Sequence, residues 1–223
     1  MKKAVIFDMY ETLITHYNCP LYFSEEMSQD AKVPVEKFLP IWRGTQEDRW
    51  VGKLTFEDTI TRIMEENHCY SKENLDTIVK KRMETKEEGF RHLHEEILPL
   101  LKKLKEKKIK IGLISNCFSE EVIAIRNSIL FPYFDEVCLS YEEGVQKPDL
   151  KIYTNCLKKL DVEAKDCLYV GDGGCEELES AAKIGMQPLQ ATWYFQDWIK
   201  YQTRRKPGFI QLDSPLQVLD YLE

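Results

Sequence analysis

A chain of 223 residues that is 43% apolar and 11% aromatic can bury one sizeable core, with room for an insertion, and is not disordered in composition. A formal charge of -7 with no strongly basic region excludes general nucleic-acid binding. Seven scattered cysteines with no Cys-x-x-Cys pair exclude a zinc-ribbon site and a disulfide framework.

The first predicted element is a strand within residues 1–8, where the apolar run Val5-Ile6-Phe7 ends in Asp8 and a polar turn. A carboxylate at a strand's carboxyl end stands where open α/β sheets bind ligands. Residues 16–93 contain no convincing strand and read as helices around 20–31, 34–50, 55–68 and 71–91. Pro20, Pro34 and the start Thr55-Phe56-Glu57-Asp58 mark their boundaries, the last with a hydroxyl cap and acidic first-turn residues. Tyr17, Tyr22 and Phe23 are aromatics read as exposed or as lining a cleft beneath this block. From there strands near 109–115, 136–140, 167–171 and 187–192 alternate with amphipathic helices near 95–107, 119–129, 149–160 and 175–185. The lysines Lys102, Lys103, Lys105, Lys107 and Lys108 are the solvated face of the first of these helices. Such alternation means a parallel sheet with helices on both faces, all strand carboxyl ends on one edge. The expected organisation is therefore a core of 1–15 and 94–223 with a helical cap, 16–93, inserted after the first strand. The tail carries Trp193, Trp198 and a basic turn at Arg204-Arg205-Lys206-Pro207-Gly208, and Leu216, Leu219 and Leu222 suggest a closing helix. No apolar stretch approaches the ~18 residues of a membrane span, and the run before Asp8 is too short for a signal peptide. A soluble, cytoplasmic protein with a small-molecule substrate is expected, acting on neither nucleic acid nor membrane; oligomeric state is not legible.

Four junctions carry the chemistry. They hold Asp8, Tyr10 and Thr12; Ser115 and Asn116; Lys147-Pro148-Asp149; and Gly171-Asp172-Gly173-Gly174 followed by Glu176 and Glu177. A carboxylate nucleophile needs rigid support and charge balance. Asp8 and Asp172 side by side repel unless a divalent cation such as Mg²⁺ lies between them. Lys147 and the Ser115 hydroxyl would neutralise and orient substrate oxygens. Glycines beside Asp172 permit close backbone approach, and Glu176 or Glu177 would hold metal-bound water.

The segments FDMYETL, ISN, QKPDLKIY and VGDGGCEELESAAKIGM, spanning residues 5–186, resemble the four motifs of the haloacid dehalogenase superfamily. The resemblance implies a Rossmann-like α/β core with an all-helical cap, and a hydrolase, most simply a Mg²⁺-dependent phosphatase, with Asp8 as nucleophile. It further implies that Thr12 supports the first loop, that Ser115, Asn116 and Lys147 hold the transferring group, and that Asp8, the Tyr10 carbonyl and Asp172 hold the metal.

One departure matters. Phosphatases of the family carry a second aspartate, the general acid and base, where this chain has Tyr10. A phenol of ordinary pKa is a poor base at neutral pH, so leaving groups that need no protonation are favoured. Glu11 would replace it only by rearranging the loop. The 2-haloacid dehalogenases of the superfamily have tyrosine here, and their Trp-Arg-x-x-Gln stretch is similar to Trp42-Arg43-Gly44-Thr45-Gln46, which makes Arg43 a candidate halide or substrate ligand. Those enzymes lack the acidic fourth motif that Asp172 retains, and have Gly where this chain has Glu11. Phosphonate-cleaving relatives use a cap lysine, for which Lys53 is the candidate, but usually carry Ala at the tyrosine position. A non-catalytic metal- and anion-binding role is the alternative of a different class.

Overall fold

The computed structural model describes residues 1–195 and 204–223. Trp198 lies outside these residues. Strands β1 (Ala4–Phe7), β2 (Lys110–Ser115), β3 (Glu136–Leu139), β4 (Cys167–Gly171), β5 (Gln187–Ala191) and β6 (Ile210–Leu212) form one sheet in the order β3-β2-β1-β4-β5-β6, every pairing parallel. The chain builds outward from β1 on one side through β2 and β3, then returns to build the other side from β4. Strand direction of growth therefore reverses beside β1, and a crevice opens beyond the carboxyl ends of β1 and β4. Register fixes what meets there. Phe7 pairs with both Leu113 and Val170, so the residues just past these, Asp8, Ser115 and Asp172, emerge on one edge.

Alternation along β1 explains the two packed layers. Val5 and Phe7 join one apolar cluster, with Leu100, Leu104 and Ile125 from helices, while Ala4 and Ile6 join the other, with Ile152, Tyr153 and Leu160. The covering helices are α6 (Ile97–Glu106), α7 (Ser119–Asn127), α9 (Leu150–Leu160) and α10 (Glu177–Lys183), with a short α8 at Ser140–Glu143. Lys102, Lys103, Lys107 and Lys108 are exposed along and just beyond α6, as its periodicity requires.

Between β1 and β2 stand α1 (Ser24–Asp30), α2 (Val35–Gly44), α3 (Gln46–Trp50), α4 (Phe56–Glu66) and α5 (Lys72–Glu88), which bury their own cluster around Met27, Phe38, Ile60, Ile63 and Ile78. Thr55 caps α4 as its sequence implies, accepting from Asp58 N at 3.0 Å while Asp58 accepts from Thr55 N at 3.1 Å. Arg82 of α5 meets Glu120 of α7 at 3.1 Å, Lys86 meets Glu121 at 2.5 Å, and Phe56 N donates to Ser119 Oγ at 2.9 Å. These contacts hold the helical block against the sheet edge.

Three expectations change. The helix expected over 34–50 is two, because the chain breaks at Thr45, whose hydroxyl turns back to the Ile41 carbonyl at 2.9 Å after the helix-weakening Gly44. The helix expected over 175–185 begins only at Glu177, because Cys175 and Glu176 take left-handed backbone conformations. The closing helix is a 3₁₀ segment over Pro215–Tyr221, preceded by a three-residue strand, β6, too short to register as periodicity. No helix among the described residues is long and apolar enough to cross a membrane.

Candidate active site

Asp8 continues the line of β1, its N–H donating to the Val170 carbonyl at 2.9 Å. The loop that follows is tight: Leu13 N and Ile14 N both donate to the Met9 carbonyl, and Glu11 takes a φ of 58°. The Glu11 carboxylate is occupied within this loop, accepting from Thr15 Oγ1 at 2.5 Å and His16 N at 3.1 Å. It braces the turn rather than replacing the missing aspartate. Thr12 is buried in the same turn, and its carbonyl accepts from Trp193 Nε1 at 2.8 Å.

Lys147 is the hub. Its ammonium donates to Asp8 Oδ1 at 2.6 Å and to Glu177 Oε2 at 2.6 Å, with all three side chains buried. Asn116 holds the lysine's backbone in place, accepting from Lys147 N at 2.7 Å and donating to Lys147 O at 3.0 Å. Ser115 closes β2 fully buried, its hydroxyl only 3.5 Å from the Asn116 carbonyl. Asp149 caps α9 by accepting from Lys151 N at 2.8 Å.

Glu177, not Glu176, joins the centre, since Glu176 is exposed on the left-handed turn. Its carboxylate accepts from the Tyr169 hydroxyl at 2.8 Å and from Gly173 N at 2.9 Å. Gly171 makes room for it: a β-carbon there would stand 2.2 Å from Glu177 Oε1. Asp172 accepts from Gly174 N at 2.8 Å, and Arg204 Nη1 approaches its Oδ2 at 3.5 Å. Gln190, fully buried, ties this loop to the following turn by donating to the carbonyls of Asp172 and Arg204 at 2.8 and 2.9 Å.

Asp8, Asp172 and Glu177 bring one carboxylate oxygen each to within 4.8 Å of one another. Burial pushes the Asp8 carboxyl up to about 7, with Lys147 pulling it down and Glu177 pushing it further up. Burial, then Glu177 and Asp8, raise Asp172 well above the carboxylate range. Burial alone would lower Lys147, yet Asp8 and Glu177 outweigh it and hold the ammonium charged. Two of the three buried carboxyls around this one buried lysine are thus pushed towards protonation, for want of further positive charge. An all-oxygen donor set with that imbalance fits a hard divalent cation.

Tyr10 leaves the carboxylate cluster for the helical block. Its ring stacks on His16 at 4.5 Å, Lys86 Nζ stands 5.4 Å from its centroid, and its hydroxyl has no partner among the described residues. Burial, then Glu121, raise the phenol well above its ordinary value, so it stays neutral. His16 is likewise neutral, its pKa lowered by burial and by Lys86 and Arg82. Beside it a cavity of about 370 Å³ is lined by Phe23, Trp42, Arg49, Trp50, Lys86 and Phe118 among others. Tyr22 is buried, its hydroxyl donating to Asp30 at 2.7 Å.

Arg43 is exposed on α2, and Lys53 is exposed and paired with Asp48 at 3.1 Å. Neither reaches this cavity. Arg49 of α3 does, beside Arg82 of α5: the break at Thr45 folds α3 back so that the Arg49 guanidinium lies over the Trp42 ring at 3.6 Å. Arg49 was hidden in the sequence because a charged residue on a polar helix reads as solvated.

The family model for haloacid dehalogenase-like hydrolases matches residues 2–185. The chain belongs to that family. Glyceraldehyde 3-phosphate phosphatase of Methanopyrus kandleri is 27% identical over 132 residues, covering 57% of this chain and 55% of that protein, so the match spans about half the relative's length. A 2-haloacid dehalogenase from Pseudomonas syringae superposes with a TM-score of 0.69 at 21% identity, covering 99% of this chain and 97% of that one. A HAD family enzyme from Bacteroides thetaiotaomicron, solved in complex with magnesium and inorganic phosphate, does so with a TM-score of 0.60 at 20% identity, covering 86% and 94%. At these identities the structural likenesses speak for the fold.

Proposed function

We propose that this haloacid dehalogenase-like hydrolase is a Mg²⁺-dependent phosphatase of a small phosphorylated metabolite. The observation that carries the reading is the convergence of Asp8, Asp172 and Glu177 around Lys147, a centre whose charge calls for a divalent cation. The phosphatase named among its relatives and the magnesium and phosphate held by a structural neighbour support it. Asp8, Asp172 and the Tyr10 carbonyl would hold Mg²⁺, with Glu177 beside them. When bound, the ion supplies positive charge between the nucleophile and the incoming phosphate.

The chain's own residues do the rest. Lys147 occupies Asp8 Oδ1 and so orients the carboxylate, leaving Oδ2 to attack phosphorus. The phosphorus–ester oxygen bond breaks, and an acyl phosphate on Asp8 forms and is then hydrolysed by water. Ser115 and Asn116 line the approach of the phosphoryl oxygens from the end of β2. The helices of 24–88 act as a cap that excludes water and selects the leaving group. Because Tyr10 is neutral and cannot serve as a base, esters with good leaving groups turn over best.

Phosphate release from p-nitrophenyl phosphate and acetyl phosphate tests this, with Mg²⁺ or EDTA and with Asp8→Asn as control. Release that needs both Mg²⁺ and Asp8 is expected. Tyr10 favours one second reading, metal-free attack of Asp8 on a carbon bearing halogen. Halide release from 2-chloropropionate in EDTA, with no phosphate release in any condition, would establish that instead.

A further inference from the structure

The cavity between the helical block and the sheet edge holds one cation, Arg49, that forms no ion pair among the described residues. Arg49 is only 1% exposed. Its guanidinium lies 3.6 Å from the Trp42 ring centroid and 4.4 Å from that of Phe118, clamped between an aromatic of the block and one of the core. Nη2 donates to the Trp42 carbonyl at 2.7 Å, but Nε and Nη1 meet no acceptor among the described residues. The other two cations on the wall are matched, Arg82 by Glu120 and Lys86 by Glu121. Arg49 is the surplus charge.

Burying an ion and leaving its hydrogen-bond donors open is costly, and stacking on two rings compensates only in part. Such an arrangement is the signature of a site completed by an anion from outside. Its location supports that. The cavity walls include His16, from the loop after β1, and Phe118, from the loop after β2. These are the loops that present Asp8 and Ser115, and Tyr10, two residues from Asp8, stacks on His16. A molecule with its phosphoryl group at Asp8 would extend past Tyr10 to reach the aromatic cavity. A volume of about 370 Å³ accommodates a small metabolite.

We propose that Arg49 receives a second anionic group of the substrate, so that the preferred substrate is a small phosphomonoester that also carries a carboxylate or a second phosphate. The proposal rests on the phosphatase reading and names its substrate class. Arg49 acts here as a binding and specificity residue, remote from the reacting atoms.

The test compares kcat/KM for 3-phosphoglycerate and glycerol 1,3-bisphosphate with that for glycerol 3-phosphate, which lacks the second anion. Charge-assisted hydrogen bonds to a buried guanidinium give a preference on the order of 10–100-fold in the wild type. Whichever of the first two is preferred distinguishes carboxylate from phosphate. In Arg49→Met, which keeps the stem between the two rings, that ratio collapses to about 1–3. If Arg49 only latches the block to the core, all three substrates slow together and the ratio survives, which overturns the proposal. Equal kcat/KM values in the wild type overturn it too, with the phosphatase reading intact. Should the Met variant fail to fold, Arg49→Lys must still cut the ratio at least about threefold, because lysine retains the charge without the planar donor fork. If none of these alkyl esters is hydrolysed, p-nitrophenyl phosphate and acetyl phosphate decide the phosphatase reading separately, and calorimetric titration of succinate in EDTA decides the anion site. Binding in the wild type that is lost in the variants upholds it, and no binding in the wild type refutes it.

Discussion

Replacing Lys147 with methionine removes the cation around which the candidate site is built. The side chain is 4% exposed and 2.6 Å from both Asp8 and Glu177, so no water replaces what it supplies. Among the described residues, three carboxylate oxygens within 4.8 Å of one another would then have Arg204 as their paired cation, itself half-exposed and 3.5 Å from Asp172. Breaking a buried ion pair by deleting one member costs about 3–5 kcal/mol, and a domain of this size loses about 2–4 °C of Tm per kcal/mol. The expected fall is therefore about 6–20 °C in EDTA at pH 7.5, followed by circular dichroism. Mg²⁺ should stabilise the variant more than the wild type, because without the lysine charge the folded site binds a cation more tightly, and such binding stabilises by RT ln(1 + [Mg²⁺]/Kd).

The pH dependence has a fixed sign. With its carboxyl at about 7 in the folded protein against 3.8 for the ordinary group, Asp8 binds more protons folded than unfolded between those values. In that window metal-free stability falls as pH rises. Without Lys147 the folded value climbs further, so the deficit of the variant widens from pH 5 to pH 8. A Tm change under about 3 °C in EDTA, with equal Mg²⁺ shifts in both proteins, would refute this account of the charge balance.

Tyr10→Asp restores a carboxyl two residues past the nucleophile, and the kcat/KM ratio of alkyl to aryl phosphates should rise at least about tenfold, towards the ~10²–10⁴ of general acid catalysis; an unchanged ratio would show that the position does not reach the leaving group. Phe38, fully buried in the helical block, should cost about 3–5 kcal/mol when cut to alanine. Chemical denaturation monitored by tryptophan fluorescence reads this directly, and a loss under ~1 kcal/mol would mean the block collapses around the gap.

Much of the site was legible in the chain because each of its pieces lies at the end of a strand. Apolar runs closing on Asp8, Ser115 and Gly171-Asp172 name the edge, and the parallel register of β1 with β2 and β4 brings those ends together. Which of Glu176 and Glu177 joins them was open in the sequence. It turns on two left-handed residues and on the space left by Gly171, which only the folded backbone reveals. The tail shows the same limit, since three residues of β6 and a 3₁₀ segment are too short to carry a period.

The sequence by itself determined the first five strands, the inserted helices and the strand-end carboxylate that is the candidate nucleophile, because strand and helix periodicities and strand-end carboxylates are local properties of the chain. Tertiary structure alone decided that His16 is held neutral, that Tyr10 stacks on it away from the carboxylates, and that Arg49, rather than Arg43, lines the cavity. Burial and packing set those outcomes, and both depend on residues far away in the chain: Arg49 lies between rings from two separate elements, and Lys147 is 139 positions from the aspartate it holds.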